Sequence, residues 1–298
     1  MAEIFLTGAT GFVGRHLVPE LINAGHQVGC LVRSDERAGQ LRELGCKIVL
    51  GDLLHAQSSS LDGIEVVIHL ASLHKGSPVL IRRTNADGTA QLLQIAQEIE
   101  VQKFLYLSTL TASDNPAWPY AHSTWLAEQA IQQSSLDYTI LRCSIILGPG
   151  EPFVGGILQM AQRWPVVPMI GSGQTKFQPV SVYDIARCVL KVIADNTYTN
   201  RTLTVGGPEI LSYEQIVNAV LDVVHMKKRK IHLPRRATRF LVRWLEHRDI
   251  ETPFAPGYFL SRDHIAASPT VIEEEFGFTP QSFGELLADI VRTPVADH

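Results

Sequence analysis

The sequence predicts an α/β fold, a doubly wound parallel sheet with helices on both faces followed by a smaller C-terminal α/β lobe. Three observations carry this expectation. Short β-branched runs alternate with amphipathic helical patterns through the first half, a glycine-rich turn joins the first run to the first helix, and the rhythm breaks after Gly148-Pro149-Gly150. A chain of 298 residues has room for one large domain or two. The break divides it into 1–148 and 149–298, with 176–196 returning to the first part. Apolar residues at 45% and charged residues at 19% are the balance of a chain that buries a core.

Taken in order, strands are expected at Ile4 to Thr7, Gln27 to Val32, Lys47 to Leu50, Glu65 to Leu70, Lys103 to Ser108 and Tyr138 to Leu141. Phe12 to Ala24 carries Val13, Leu17 and Leu21 at helical spacing, with Gly25 placed to end the helix. Val79 to Glu100 carries Leu92, Ala96 and Ile99 in the same way. After residue 150, Pro and Gly are frequent through Gly173, and no helix-strand pair of the earlier length is expected immediately. Ser212 followed three residues later by Gln215 is a capping-box signal opening a helix over Ile216 to Val224.

Gly8-Ala9-Thr10-Gly11-Phe12-Val13-Gly14 sits between the first strand and the first helix, which is where a phosphate-binding loop belongs. Its glycines permit a tight turn and a close backbone approach to a pyrophosphate, whose charge the N–H groups of the helix start would favour. The expected fold is therefore a Rossmann dinucleotide-binding one. At the end of the second strand stands Arg33, which suits a 2′-phosphate and so NADP(H). Asp35, two residues on, is a rival that would bind ribose hydroxyls and make NAD(H) the runner-up.

The spacing G-x-x-G-x-x-G and the wording T-G-A-T-G-F-V-G resemble the extended and atypical branches of the short-chain dehydrogenase/reductase superfamily. The resemblance implies that Gly51-Asp52-Leu53 contacts the adenine, although Asp52 is also suited to capping a turn. It further implies cofactor contacts from Leu70-Ala71-Ser72, from Asn85 within T-N-A-D-G-T, and from Ser108 and Tyr120. Thr10, Gly11, Phe12 and Val13 complete the expected nucleotide set.

In the superfamily a Ser or Thr orients the substrate, a Tyr exchanges the proton, and a Lys four residues later lowers the Tyr pKa. Here Thr109 and Thr111 supply hydroxyls after the fifth strand, and Tyr120 opens Y-A-H-S-T-W-L-A-E, but Thr124 occupies the Lys position. A neutral hydroxyl does not supply the charge that makes a Tyr competent near neutral pH. His122 and Lys75 are the candidate substitutes. Segments Ile140 to Gly150, Gly171 to Ala186 and Val205 to Pro208 extend the resemblance over about 270 residues, although Cys143 stands where many relatives carry Pro. Their order is most similar to the atypical group that contains the NAD(P)H-binding accessory subunit of respiratory complex I.

The net charge of -4 does not by itself argue for a nucleic-acid partner, none is expected, and any positive patch must be local. Cys30, Cys46, Cys143 and Cys188 lack C-x-x-C spacing, so no metal site or disulfide framework is expected and a reducing, cytoplasmic compartment fits. No signal peptide or membrane span is expected. Nine of the 26 Lys and Arg residues fall within 227–248, where Ala237, Phe240, Leu241, Trp244 and Leu245 alternate with Arg235, Arg236, Arg239 and Arg243. An amphipathic helix there would pack on the second lobe with its cations solvated or lining the entrance of an anionic, phosphate-bearing substrate, or would dock on a membrane surface or a respiratory complex. The leading functional expectation is an NADP(H)-binding protein with a structural, assembly or sensing role in a respiratory or quinone system. The alternatives are an active oxidoreductase or nucleotide-sugar epimerase/dehydratase using Tyr120, and a redox-sensing regulator.

Overall fold

Ile4, Phe5 and Leu6 are wholly buried, and the segment that carries them, Glu3–Thr7, forms β1, an interior strand. In this computed structural model, which describes residues 1–55, 61, 63–234, 263–266 and 268–292, β1 pairs in parallel with β2 (Gln27–Val32) on one side and with β4 (Val66–His69) on the other. β3 (Lys47–Leu50) extends the β2 side, and β5 (Lys103–Thr109) and β6 (Tyr138–Cys143) extend the β4 side, all in parallel. A strand from much later in the chain, Arg201–Val205, completes a seven-stranded sheet beside β6. The strand order reverses between β1 and β4. In a doubly wound sheet this switch point opens a crevice at the strands' carboxyl ends, where Gly8 and Leu70 lie.

The helix α1 (Phe12–Asn23) ends as the sequence suggests, with the Gly25 N–H bonded to the Ile22 carbonyl at 2.9 Å and the His26 N–H to Leu21 at 3.1 Å. A short helix α2 (Gly39–Glu43) precedes β3. The expected helix over Val79 to Glu100 is instead α3 (Pro78–Arg82), a π-helical turn over Arg83–Asp87, and α4 (Gly88–Glu98). The wider turn accompanies a side-chain contact at Asn85, described below. α5 (Pro119–Gln132) packs Ala127 and Ile131 into the same core as Phe5, Val67, Leu92, Phe104 and Ile140.

The chain separates into two units, Met1–Cys143 with Ile185–Thr204, and Ser144–Asp184 with Val205–His298. In the second, the expectation of no early helix-strand pair is overturned. Pro152–Arg163 forms α6 and Val166–Ile170 forms β8 after strand β7 (Ile146–Leu147). Its Gly155-Gly156 pair obscured an apolar face made by Phe153, Val154, Ile157, Met160 and Ala161. Glu151 caps this helix by accepting N–H groups of Phe153 and Val154, each at 2.6 Å. Lys176–Phe177 and Val180–Ser181 form β9 and β10, and Val182–Ala194 forms α7, which carries the chain back to the first unit. With Arg201–Val205 numbered β11, the next elements are β12 (Leu211–Ser212) and α8 (Tyr213–Val223). α8 opens on the expected capping box, Ser212 accepting from Gln215 N at 3.1 Å and Gln215 accepting from Ser212 N at 2.7 Å.

Arg229–Leu233 forms β13, parallel to β8, and α9 (Val271–Phe276) and α10 (Phe283–Arg292) follow. Phe153, Ile157, Phe177, Tyr213, Val217, Leu286 and Ile290 share the second unit's core. The expected amphipathic helix from Arg235 lies outside the described residues. Among the described residues no helix is long and apolar enough to cross a membrane.

Candidate dinucleotide site

The turn after β1 is built from glycine for steric reasons. Gly8 has φ +80°, and a Cβ there would meet Ala71 N at 2.7 Å and Leu70 C at 2.8 Å across the switch point. A Cβ on Gly14 would lie 2.3 Å from Gly8 O and 2.6 Å from Ala9 Cα. Close contact thus locks the loop onto α1. Gly11 is the N-cap of α1 and supplies no side-chain cap. The first N–H groups of a helix lack intrahelical acceptors, and the helix dipole adds about half a positive charge there. This end of α1 fits a pyrophosphate. Around it Phe12 and Val13 are half-buried and Thr10 is exposed. Arg15, missed in the sequence, has its guanidinium 5.8 Å from the Phe12 ring centroid.

At the end of β2, Arg33 is exposed, whereas Asp35 is bound by the Arg42 guanidinium. After β3, Leu53 is buried, and Asp52 Oδ1 accepts the Leu54 N–H at 2.9 Å and lies 2.9 Å from His55 Nδ1. Asp52 therefore closes its own turn, holding Leu53 in place.

Beneath the loop after β4 runs a hydrogen-bond chain that the sequence reading did not anticipate. Thr89 Oγ1 donates to the Asn85 carbonyl at 2.5 Å, so it accepts from His69 Nε2 at 2.9 Å. That assignment leaves His69 Nδ1 to accept the Thr7 hydroxyl at 2.6 Å, while Thr7 Oγ1 accepts the Ala71 N–H at 3.4 Å. His69 is fully buried, and loss of hydration pushes its pKa down to about 3. The neutral ring is the form with the right donor and acceptor on its two nitrogens.

Asn85, expected to touch the cofactor, is hydrogen-bonded within the protein. Its Oδ1 accepts the Leu73 N–H at 2.7 Å, and its Nδ2 donates to Leu73 O at 3.0 Å and to Ser123 Oγ at 3.1 Å. Both amide hydrogens have partners within the protein, so this side chain braces the loop of Leu70, Ala71 and Ser72 against α5. The Ser108 hydroxyl donates to Glu128. Glu128 is fully buried and also accepts from Arg142 Nε at 3.0 and 3.1 Å, which ties α5 to β5 and β6. Thr109 and Thr111 hydroxyls lie 3.0 Å apart.

Tyr120 stands at the start of α5, half-buried. Its phenol is pushed up to about 12 by loss of hydration, opposed by hydrogen bonds with Ser72 and Thr124. Thr124, at the position where the resemblance implies Lys, is 2% exposed and donates to the Tyr120 carbonyl at 3.0 Å. The His74 ring, another residue the sequence reading passed over, lies against Tyr120 with centroids 4.5 Å apart. Of the expected substitutes, His122 stacks on Trp125 at 6.0 Å, and Lys75 is exposed.

A family model described as NAD dependent epimerase/dehydratase matches residues 4–206. The chain belongs to this family. The resemblance to extended short-chain dehydrogenases/reductases, including the complex I subunit, is thereby borne out. Among relatives of the family, the photosystem II assembly factor Ycf39 of Cyanophora paradoxa is 26% identical, covering 92% of this chain and 83% of that protein. A ceramide reductase of Caulobacter vibrioides (strain NA1000 / CB15N) is 32% identical, covering 78% and 73%. The mitochondrial NADH dehydrogenase [ubiquinone] 1 alpha subcomplex subunit 9 of Dictyostelium discoideum is 26% identical, covering 74% and 63%. The solved structure of MoeE5 in complex with UDP-glucose and NAD superposes with a TM-score of 0.77 at 21% identity, covering 97% of each chain, which shows the shared Rossmann-like fold.

Proposed function

We propose that this chain is an atypical member of the family that binds NADP(H) tightly and serves in the assembly or as an accessory part of a membrane-bound electron-transfer complex, the nucleotide stabilising its fold. The carrying observation is the contrast between a complete phosphate loop and Thr124. The α1 end that fits a pyrophosphate is intact, while the position four residues after Tyr120 offers a buried hydroxyl engaged with a backbone carbonyl. Nucleotide retention is favoured, and proton exchange is not. The names of the photosystem II assembly factor and of the complex I subunit agree with this reading. Preference for NADP(H) rests on exposed Arg33 and on Asp35 being held by Arg42, away from ribose duty. The protein would act at the cytoplasmic face of a membrane.

A second reading, a carbonyl reductase, is favoured by the ceramide reductase likeness and by Tyr120, whose raised pKa keeps its proton through the neutral range. A bound reduced nicotinamide would supply the hydride, and Tyr120 would hold the proton taken up by a carbonyl oxygen. One experiment separates the two. The nucleotide released on denaturation is identified by mass spectrometry, and the native protein is incubated with quinones and with long-chain ketones while reduced-nicotinamide absorbance is followed. Stoichiometric NADP(H) that stays unoxidised is expected. Turnover that Tyr120→Phe abolishes would overturn the first reading in favour of the second.

A further inference from the structure

Between β4 and α4 the chain presents apolar and cationic side chains together. His74 to Leu80 are all exposed, with Val79 at 76% and Leu80 at 49%. Lys75 precedes them, and exposed Arg82 and Arg83 follow. The turn is held firmly. Ser77 accepts the Leu80 N–H at 3.2 Å, Pro78 begins α3, and Ile81 is buried at 5% exposure, so α3 projects Val79 and Leu80 outward. From Leu70 to Ala90 the acid is Asp87, whose carboxylate is 4.0 Å from Arg82 Nε with both groups more than half exposed. Such a solvated pair leaves the stretch cationic.

We propose that this turn docks the protein on an anionic lipid surface, with Val79 and Leu80 among the headgroups and Lys75, Arg82 and Arg83 against the phosphates. Two features favour a bilayer over a protein partner. The apolar element is a pair of neighbouring side chains on a five-residue helix, whereas a stable protein interface takes roughly 800 Å² from each side. Cations flank the pair on both sides, which complements an anionic headgroup layer that requires no matching shape. His74, which packs on Tyr120, belongs to the same segment, so docking brings the candidate site next to lipid. This proposal is independent of the nucleotide's role and uses none of the residues of the basic stretch 227–248.

The test is co-flotation of the full chain with phosphatidylcholine vesicles, with and without phosphatidylglycerol, at low salt. Wild type is expected to float with the anionic vesicles alone. A cation near an anionic surface is worth about fivefold in partitioning, so Arg82→Gln with Arg83→Gln is expected to weaken it about 25-fold. Val79→Ser with Leu80→Ser is expected to weaken it about tenfold. All four positions are exposed, and bound nucleotide is expected to be unchanged in both variants. A comparison protein carries Lys227→Gln, Lys228→Gln, Arg243→Gln and Arg248→Gln. Wild type that ignores anionic vesicles overturns the proposal, as does flotation that survives both turn variants and vanishes in the comparison protein.

Discussion

His69 shows how one residue can be central to a site without being legible as such. In the sequence it is a histidine inside a β-branched strand, and nothing about its spacing singles it out. In the structure its two nitrogens join Thr7 to Thr89, and through them the Ala71 N–H to the Asn85 carbonyl. The tight glycine turn of the loop was readable because glycine spacing is a local signal. The protein partners of Asn85 and Ser108, namely Leu73, Ser123 and Glu128, were not readable, because they come together only through the tertiary fold. Burial that lowers the His69 pKa from 6.5 to about 3 has a definite sign. The native state holds the ring neutral, so its contribution is complete above about pH 6.5 and is lost as pH falls toward 3. Between pH 7 and 5 the loss amounts to about 2 kcal/mol. Glu151, pushed up to about 7 by burial, works the other way, with stability falling as pH rises from 4.5 to about 7. A variant isolates the histidine. Urea unfolding of wild type and His69→Gln is expected to show a stability gap that narrows by about 2 kcal/mol between pH 7 and 5. An unchanged gap would mean that the ring is not held neutral.

At the scale of elements, the parallel strands were legible because each is a β-branched run between turn residues. α1 and α8 were legible because their caps are written in adjacent residues. α6 was not, since Gly155-Gly156 lowers its local propensity and burial of Phe153, Ile157 and Met160 supplies what propensity lacks. The π turn at Arg83–Asp87 was also unreadable, because periodicity registers an apolar face and not the insertion of one residue into it. The β1-α1 junction is the element on which nucleotide binding depends most directly. Gly14→Ala would force a methyl into Gly8 O and Ala9 Cα, both backbone atoms with no rotamer to yield. The expected outcome is a loss of about 1–3 kcal/mol in thermal or urea unfolding. Purified Gly14→Ala is also expected to carry no nucleotide. Full nucleotide occupancy in Gly14→Ala would show that the loop adapts and that the close approach is not required.

For the whole molecule, the question is what a bound dinucleotide does if it is not turned over. The switch-point loops after β1 and β4 come from separate stretches of chain and meet where Gly8 abuts Leu70 and Ala71. A ligand spanning them binds only the folded state, so it stabilises by mass action, about 2.7 kcal/mol at a hundred times its Kd. Removing it should therefore lower the midpoint by several degrees, given about 2–4 °C per kcal/mol for a chain of this class. The choice between cofactors follows from charge. Arg33 facing a 2′-phosphate would add a charge-assisted contact worth about 1.5–3 kcal/mol, which NAD(H) does not offer. Stripped protein titrated with each nucleotide and followed by thermal unfolding is expected to need about ten- to a hundredfold less NADP(H) than NAD(H) for the same shift. Arg33→Ala is expected to remove that difference by weakening NADP(H) while leaving NAD(H) nearly as before. If Arg33→Ala weakens both equally, the arginine supports the loop and not the phosphate, and the preference must be sought at another residue of the β2 end, such as exposed Arg37. If NAD(H) gives the larger shift in wild type, Asp35 must leave Arg42 to reach the ribose, and Asp35→Asn would then reverse the order.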